Sequence, residues 1–288
     1  MKTKQQFVDQ SEEVIMNHNF PAMCRQCGMI VSECDCNDET PVRHVIALSG
    51  GKDSTALAIR LHEIEPRDYL LVCTPTGNEP PEMVAHWLKI GELIGSKIIP
   101  VVDPRGLNGL IQEQNAIPNW RQRWCTRLLK IVPYANWLAK NAPCVSYVGL
   151  RADEAEREGG DFLDVPGVEM RFPLREWGWG IKEVVGYLDE KGIVIPKRTD
   201  CLVCFFQRLI EWYEFWYKAF PGRDLEYRRA WDMGESQERV VGHTFRSPGR
   251  DTWPASMEGL RTEFENGRVP KDTRKDAMNA MKCRVCSL

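Results

Sequence analysis

The 288-residue chain has no apolar run long enough to span a bilayer, and its start, Met1-Lys2-Thr3-Lys4-Gln5-Gln6, lacks the apolar core of a secretion signal. These absences predict a cytoplasmic protein with no membrane partner. Nor is there an excess of either charge: 38 Lys and Arg stand against 41 Asp and Glu, a formal net charge of -3. Blanket attraction to nucleic acid is thereby excluded, and such a partner would need a local basic patch. No internal repeat is present. With 43% hydrophobic residues, the chain can build an ordinary core for one large domain or for one domain with appended modules.

What it has in abundance is cysteine. Of eleven, eight fall in close pairs: Cys24/Cys27, Cys34/Cys36, Cys201/Cys204 and Cys283/Cys286. In a reducing compartment that clustering points to metal ligation rather than disulfides, and an odd count argues against a fully paired framework. Cys24-x2-Cys27-x6-Cys34-x-Cys36 offers four thiolates in thirteen residues, the donor set of a zinc knuckle that would fold an otherwise coreless segment. Cys283 and Cys286 could complete a zinc site with Cys24 and Cys27, supply a cluster ligand, or form a mobile redox tail; a tail without metal stands beside these readings.

Polarity and periodicity divide the chain into a cysteine-rich segment (1–40), an α/β core (41–196) and a mainly helical region (197–288). The core pattern predicts strands at 44–48, 69–73, 97–102 and 145–149, with helices at 53–64, 81–94 and 126–140. A strand near Glu169 to Phe172 and a helix near Ile181 to Lys191 would finish it. Such alternation implies right-handed crossovers and a parallel, Rossmann-like sheet flanked by helices. Farther on, Leu209, Trp212, Tyr213, Trp216 and Phe220 share a helical face that either packs on the core or stacks bases, with Arg208, Arg223, Arg228 and Arg229 nearby for phosphate. Core packing is the commoner use of such a face.

The run His44-Val45-Ile46-Ala47-Leu48-Ser49-Gly50-Gly51-Lys52-Asp53-Ser54 reads as a buried strand feeding a phosphate-cradling loop at a helix N-terminus. Small residues let an anion approach backbone N–H groups, and Lys52 adds a point charge. A Walker loop is excluded, because Ile46 stands where its first glycine belongs and Asp53 follows the lysine. A turn that merely caps a helix would favour the same residues. Asp53 offers hard oxygen to Mg2+ or, alternatively, is an acid stabilising the helix dipole. Ligands of open α/β sheets sit beyond the carboxyl ends of strands, which adds Thr74-Pro75-Thr76-Gly77-Asn78-Glu79 and Gly149-Leu150-Arg151-Ala152-Asp153-Glu154 to the candidates. Arg151 either neutralises a phosphoryl group or pairs with Asp153 or Glu154.

SGGKDS resembles the pyrophosphate loop (PP-loop) of the N-type ATP pyrophosphatases, the adenine nucleotide alpha-hydrolase superfamily that also holds the phosphoadenosine phosphosulfate reductases. Thr76-Gly77-Asn78-Glu79 and Gly149 to Glu154 are similar to its T-G-N-E and G-I-R-A-D-E-S stretches, with Leu150 and Ala155 departing mildly. The resemblance spans about 43 to 208. It implies ATP and Mg2+ at Ser49, Gly50, Gly51, Lys52, Asp53, Ser54, Thr76, Gly77, Asn78, Arg151 and Asp153, with Lys52, Asp53 and Arg151 catalytic.

Trp124-Cys125-Thr126-Arg127-Leu128-Leu129-Lys130-Ile131-Val132-Pro133 and Cys201-x2-Cys204 resemble the C-[CT]-x-x-x-K-x-x-P and C-x-x-C segments of iron-sulfur members, including the sulfur-inserting enzyme of DNA phosphorothioation. That likeness implies an iron-sulfur cluster, 4Fe-4S in type, on Cys125, Cys201 and Cys204, with one iron open. Structural zinc or unligated thiols are the alternatives. The implied activity is adenylation of an acceptor, nucleic acid among the candidates, followed by displacement with sulfur from a cysteine desulfurase or sulfide. A sulfonucleotide reductase is the main rival, though the chain lacks the E-C-G-[LI]-H tail of those enzymes; a non-catalytic nucleotide- and zinc-binding module is another. Oligomeric state, homo-oligomer included, stays open.

Overall fold

A computed structural model describes residues 41–154, 165–220 and 223–272. Cys24, Cys27, Cys34, Cys36, Cys283, Cys286 and Ala155 lie outside the described residues, and with them the zinc-knuckle and tail readings. In chain order the elements are β1 (Arg43–Ala47), α1 (Lys52–Ile64), β2 (Tyr69–Cys73), α2 (Pro81–Ile94), β3 (Ile98–Pro100), α3 (Gly106–Gln114), α4 (Trp124–Thr126), a π-helical turn (Arg127–Ile131), α5 (Val132–Asn141), β4 (Cys144–Tyr147), β5 (Val168–Arg171), α6 (Pro173–Glu176), α7 (Ile181–Glu190), α8 (Leu209–Ala219), α9 (Leu225–Val241) and α10 (Met257–Glu265).

The described chain forms two compact units, one built from residues up to 74 with 86–101 and 133–195, the other from 75–85, 102–132 and 196 onward. The first unit holds the sheet. Its order is β3-β2-β1-β4-β5, and every neighbouring pair is parallel. The expected α/β Rossmann-like class is therefore observed. Val45, Ile46 and Leu71 are fully or almost fully buried, as strands covered on both faces require. Leu57, Ala58 and Leu61 recur at helical spacing and seat α1. The order reverses between β1 and β4, the switch point at which such sheets open a crevice for ligands.

The second unit has an aromatic core. Trp212 and Trp231 are fully buried with ring centroids 6.3 Å apart, and Phe215, Phe245, Leu260 and Phe264 close around them. Truncating either tryptophan would cost about 3–5 kcal/mol. Asp224 starts α9 by accepting from the N–H groups of Glu226 (2.9 Å) and Tyr227 (3.3 Å). Gly234 of α9 leaves room for its neighbours: a Cβ there would lie 2.6 Å from Met257 Sδ and 3.0 Å from Val203 Cγ1.

The aromatic stretch packs inward, with Ile210, Trp212, Phe215 and Ala219 as the buried face of α8. Three of the four nearby arginines are engaged, and Arg229 is exposed. Arg228 bonds Asp232 at 2.9 Å, Arg223 lies 3.6 Å over the Tyr217 ring, and Arg208 faces Glu211 at 3.8 Å. Among the described residues, no helix is long and apolar enough to cross a membrane.

Candidate active site

In the first unit, the loop after β1 is shaped by its own serines. Gly50 adopts φ 81°, a left-handed conformation that glycine enters without steric cost. Its N–H donates to Ser54 Oγ at 3.1 Å, Gly51 N–H donates to Ser49 Oγ at 3.3 Å, and the two hydroxyls lie 3.0 Å apart. Gly50 and Gly51 thus contribute shape more than open donors. No side chain caps α1. The N–H groups of Lys52, Asp53 and Ser54 belong to its first turn, which has no intrahelical acceptor, so the positive end of the helix dipole is left to an external anion.

Asp53 and Arg151 are brought together across 98 residues of sequence. Arg151 is 2% exposed, and its Nη1 meets Asp53 Oδ2 at 2.9 Å while Nε bonds Asp153 Oδ1 at 2.8 Å and Nη2 reaches Glu154 Oε1 at 3.1 Å. Burial opposes the guanidinium charge, but Asp53 and its fellow carboxylates outweigh it and hold Arg151 above its usual value. Asp153 is likewise pulled below the ordinary range by Arg151 against the effect of burial, and its Oδ2 accepts the N–H of Ile181 at the start of α7 (3.1 Å).

One atom is left over. Asp53 Oδ1 is buried without a hydrogen-bond partner, while Lys52 Nζ lies 3.6 Å from Oδ2. A buried, unmatched carboxylate oxygen costs on the order of 1–3 kcal/mol. Hard anionic oxygen beside a helix N-terminus has the chemistry to hold Mg2+.

Gly149 makes this geometry available. A Cβ there would stand 3.0 Å from Ser54 N and 3.1 Å from Asp53 C, which are backbone atoms that cannot swing aside.

In the second unit, the Thr76–Glu79 turn closes on itself. Glu79 Oε1 accepts from Thr76 N (2.7 Å) and Thr76 Oγ1 (2.6 Å), and Oε2 accepts from Gly77 N (3.0 Å). The same turn holds the cysteine segment: Thr76 Oγ1 lies 3.2 Å from Cys201 Sγ, and Asn78 O accepts the Leu202 N–H at 2.7 Å. Arg198 Nη2 donates to Cys201 O at 2.5 Å, and Gln207 Nε2 to Leu202 O. Burial pushes the Cys201 thiol up to about 12, with Glu79 adding and Lys130 and Thr76 opposing. Cys204 is raised by burial and by Asp200, and Cys125 by burial against Lys130.

Cys201 thus feels both Cys125 and Cys204, and all three belong to this unit. Thiols this hard to ionise stay protonated at neutral pH unless a metal takes the proton's place. Among the described residues, no three His, Cys, Asp or Glu side chains form a group that could hold a metal ion.

The helix bearing Cys125 widens into the π-helical turn. Val132 N–H reaches back to Arg127 O, and Pro133, which has no N–H to give Leu129, follows at once. Lys130 sits in that turn.

An amide triad escaped sequence reasoning. Asn78 Nδ2 and Gln237 Nε2 both donate to Asn108 Oδ1, at 3.1 and 2.9 Å. Gln237 lies in α9, far from any motif, and a lone polar residue in a helix carries no spacing signal.

The family model described as phosphoadenosine phosphosulfate reductase domain matches residues 43–197. No curated protein matches the chain. Among solved structures it is similar to a phosphoadenylyl-sulfate reductase from Candida auris in a phosphate complex, at 12% identity over 68% of this chain and 90% of that one, with a TM-score of 0.41.

Proposed function

The chain belongs to the phosphoadenosine phosphosulfate reductase domain family, and from that premise we propose that it splits ATP into AMP and pyrophosphate, activating an acceptor for sulfur insertion. The observation that carries this reading is the uncapped start of α1 next to the unmatched Asp53 Oδ1. An acceptor oxygen attacks the α-phosphorus, and the bond from that phosphorus to the bridging oxygen breaks. Pyrophosphate leaves with the electron pair toward Lys52 and the first-turn N–H groups, which act through position and charge. Asp53, held in place by Arg151, would carry the Mg2+ that neutralises the polyphosphate. Sulfide then attacks the acceptor carbon, the bond from that carbon to the adenylated oxygen breaks, and AMP leaves with the electron pair.

Cys125, Cys201 and Cys204 would hold an iron-sulfur cluster, which when bound supplies a site for sulfide. The chain's own part is to bury these thiols and to tie the backbone between them to Asn78 and Arg198.

A second reading is favoured by the family match itself: reduction of an adenylyl phosphosulfate, with sulfite as product and a cysteine as nucleophile. One assay separates the two. Labelled pyrophosphate from ATP is expected from the first reading, with Lys52→Ala lowering it about 100-fold, the usual scale for one transition-state contact. Sulfite release from a phosphosulfate nucleotide without pyrophosphate from ATP would replace the first reading by the second.

A further inference from the structure

From residue 114 to residue 152 the chain has no Asp or Glu, where its average composition would place about five, yet this stretch holds Arg121, Arg123, Arg127, Lys130, Lys140 and Arg151. Its first part, in the second unit, forms a surface. Asn119 Oδ1 accepts the N–H groups of Arg121 (2.9 Å) and Gln122 (3.0 Å), fixing a tight turn that carries Trp120 at 59% exposure. An indole left this open in a folded chain has given up most of its burial free energy.

The Arg121 guanidinium lies 4.7 Å from the Trp120 ring, and Arg123 lies 5.3 Å from the Phe206 ring, two residues beyond Cys204. Arg121 and Arg127 are exposed and form no ion pair among the described residues. The last acid upstream, Glu113, is held by Arg105 at 2.9 Å, and Glu211 faces Arg208 at 3.8 Å. Cationic side chains alternate here with aromatic faces in the residues that precede Cys125 and follow Cys204.

We propose that this surface, Trp120, Arg121, Arg123, Arg127 and Phe206, binds single-stranded nucleic acid, its bases stacking on the rings and its phosphates meeting the guanidinium groups. That the strand is the acceptor for sulfur rests on the function proposed above; that it binds does not.

Fluorescence anisotropy of a labelled 15-nucleotide oligo-dT against the full chain, without ATP, tests it. Three phosphate contacts predict a log–log salt slope of about -2, reduced by about 0.7 in Arg121→Gln and again in Arg127→Gln. Trp120→Ala should weaken binding about tenfold and Trp120→Phe much less, with circular dichroism confirming that each variant is folded.

Heparin and polyglutamate, polyanions without bases, should bind more weakly and be indifferent to Trp120. No binding of oligo-dT, or equal binding of all three polyanions with Trp120→Ala silent, overturns the proposal. Oligonucleotide binding without pyrophosphate release would sink the nucleotide chemistry alone.

Discussion

Arg151 and Asp53 form a buried ion pair 2.9 Å long that ties the loop after β4 to the first turn of α1. Removing one partner of such a pair leaves the other charged and desolvated. Arg151→Met is therefore expected to cost about 3–5 kcal/mol, seen as a lower unfolding midpoint in denaturant. The double variant with Asp53→Asn should recover part of that stability, since Asp153 and Glu154 still lack their cation, without regaining turnover, because the carboxylate proposed to hold Mg2+ has also gone. A double variant no more stable than the single one would show that the pair is not what Arg151 supports.

Gly149→Ala tests the packing of the same two loops. The added methyl meets backbone at 3.0–3.2 Å, so the start of α1 must move by a few tenths of an ångström. We expect a modest loss of stability, about 1–3 kcal/mol, and a larger loss of nucleotide affinity measured by calorimetry. Unchanged affinity would mean that the ligand does not sit on this helix terminus.

The cluster assignment has a spectroscopic outcome. Chain purified without oxygen should absorb in the visible near the blue end and contain iron, and Cys201→Ser should lose both. Stoichiometric zinc with no iron would instead assign the three thiols to a structural metal.

Acid should weaken the first unit through two histidines. Burial pushes His44 and His86 down to about 4, with Arg67 reinforcing it at His44 and Lys89 at His86. Folded chain then binds fewer protons than unfolded chain between the ordinary value near 6.5 and 4. Stability is complete above that window and is lost as pH falls through it. For His86, 5% exposed and 3.1 Å from Thr55 Oγ1, the loss is no more than about 3 kcal/mol. His86→Gln should flatten the pH dependence of the thermal midpoint between pH 7 and 5; an equally steep profile would exclude His86 as its source.

The middle of the sheet was legible because β1 and β2 carry apolar runs set off by turn residues, and because helical spacing in Thr55 to His62 admits little else; the edge strand β5, Val168-Glu169-Met170-Arg171, has no such run. Expected and observed bounds agree within a residue or two for β1, β2 and α2. Helix α3 was not foreseen: Gly106, Asn108 and Gly109 depress its propensity, and it forms because Leu107, Leu110 and Ile111 find the second unit's core. The aromatic stretch proved to feed two helices, α8 and α9, whose rings interlock.

At the site, glycine and carboxylate positions announced themselves through motif spacing. The triple embrace of Arg151 was only half visible, since Asp153 and Glu154 are neighbours in sequence whereas Asp53 is not. Trp120 carried no signal, because exposure of a single indole is decided by tertiary packing.

The matched family segment ends at residue 197, before Cys201 and Cys204. Val203, lodged between those cysteines, rests against the hollow that Gly234 leaves in α9. A fragment cut at the family boundary would keep the Ser49–Ser54 loop and forfeit both sulfurs. One extended to residue 208 would regain the sulfurs yet have no floor beneath them. Any fragment meant to keep Cys201 and Cys204 packed must carry α9 along with them.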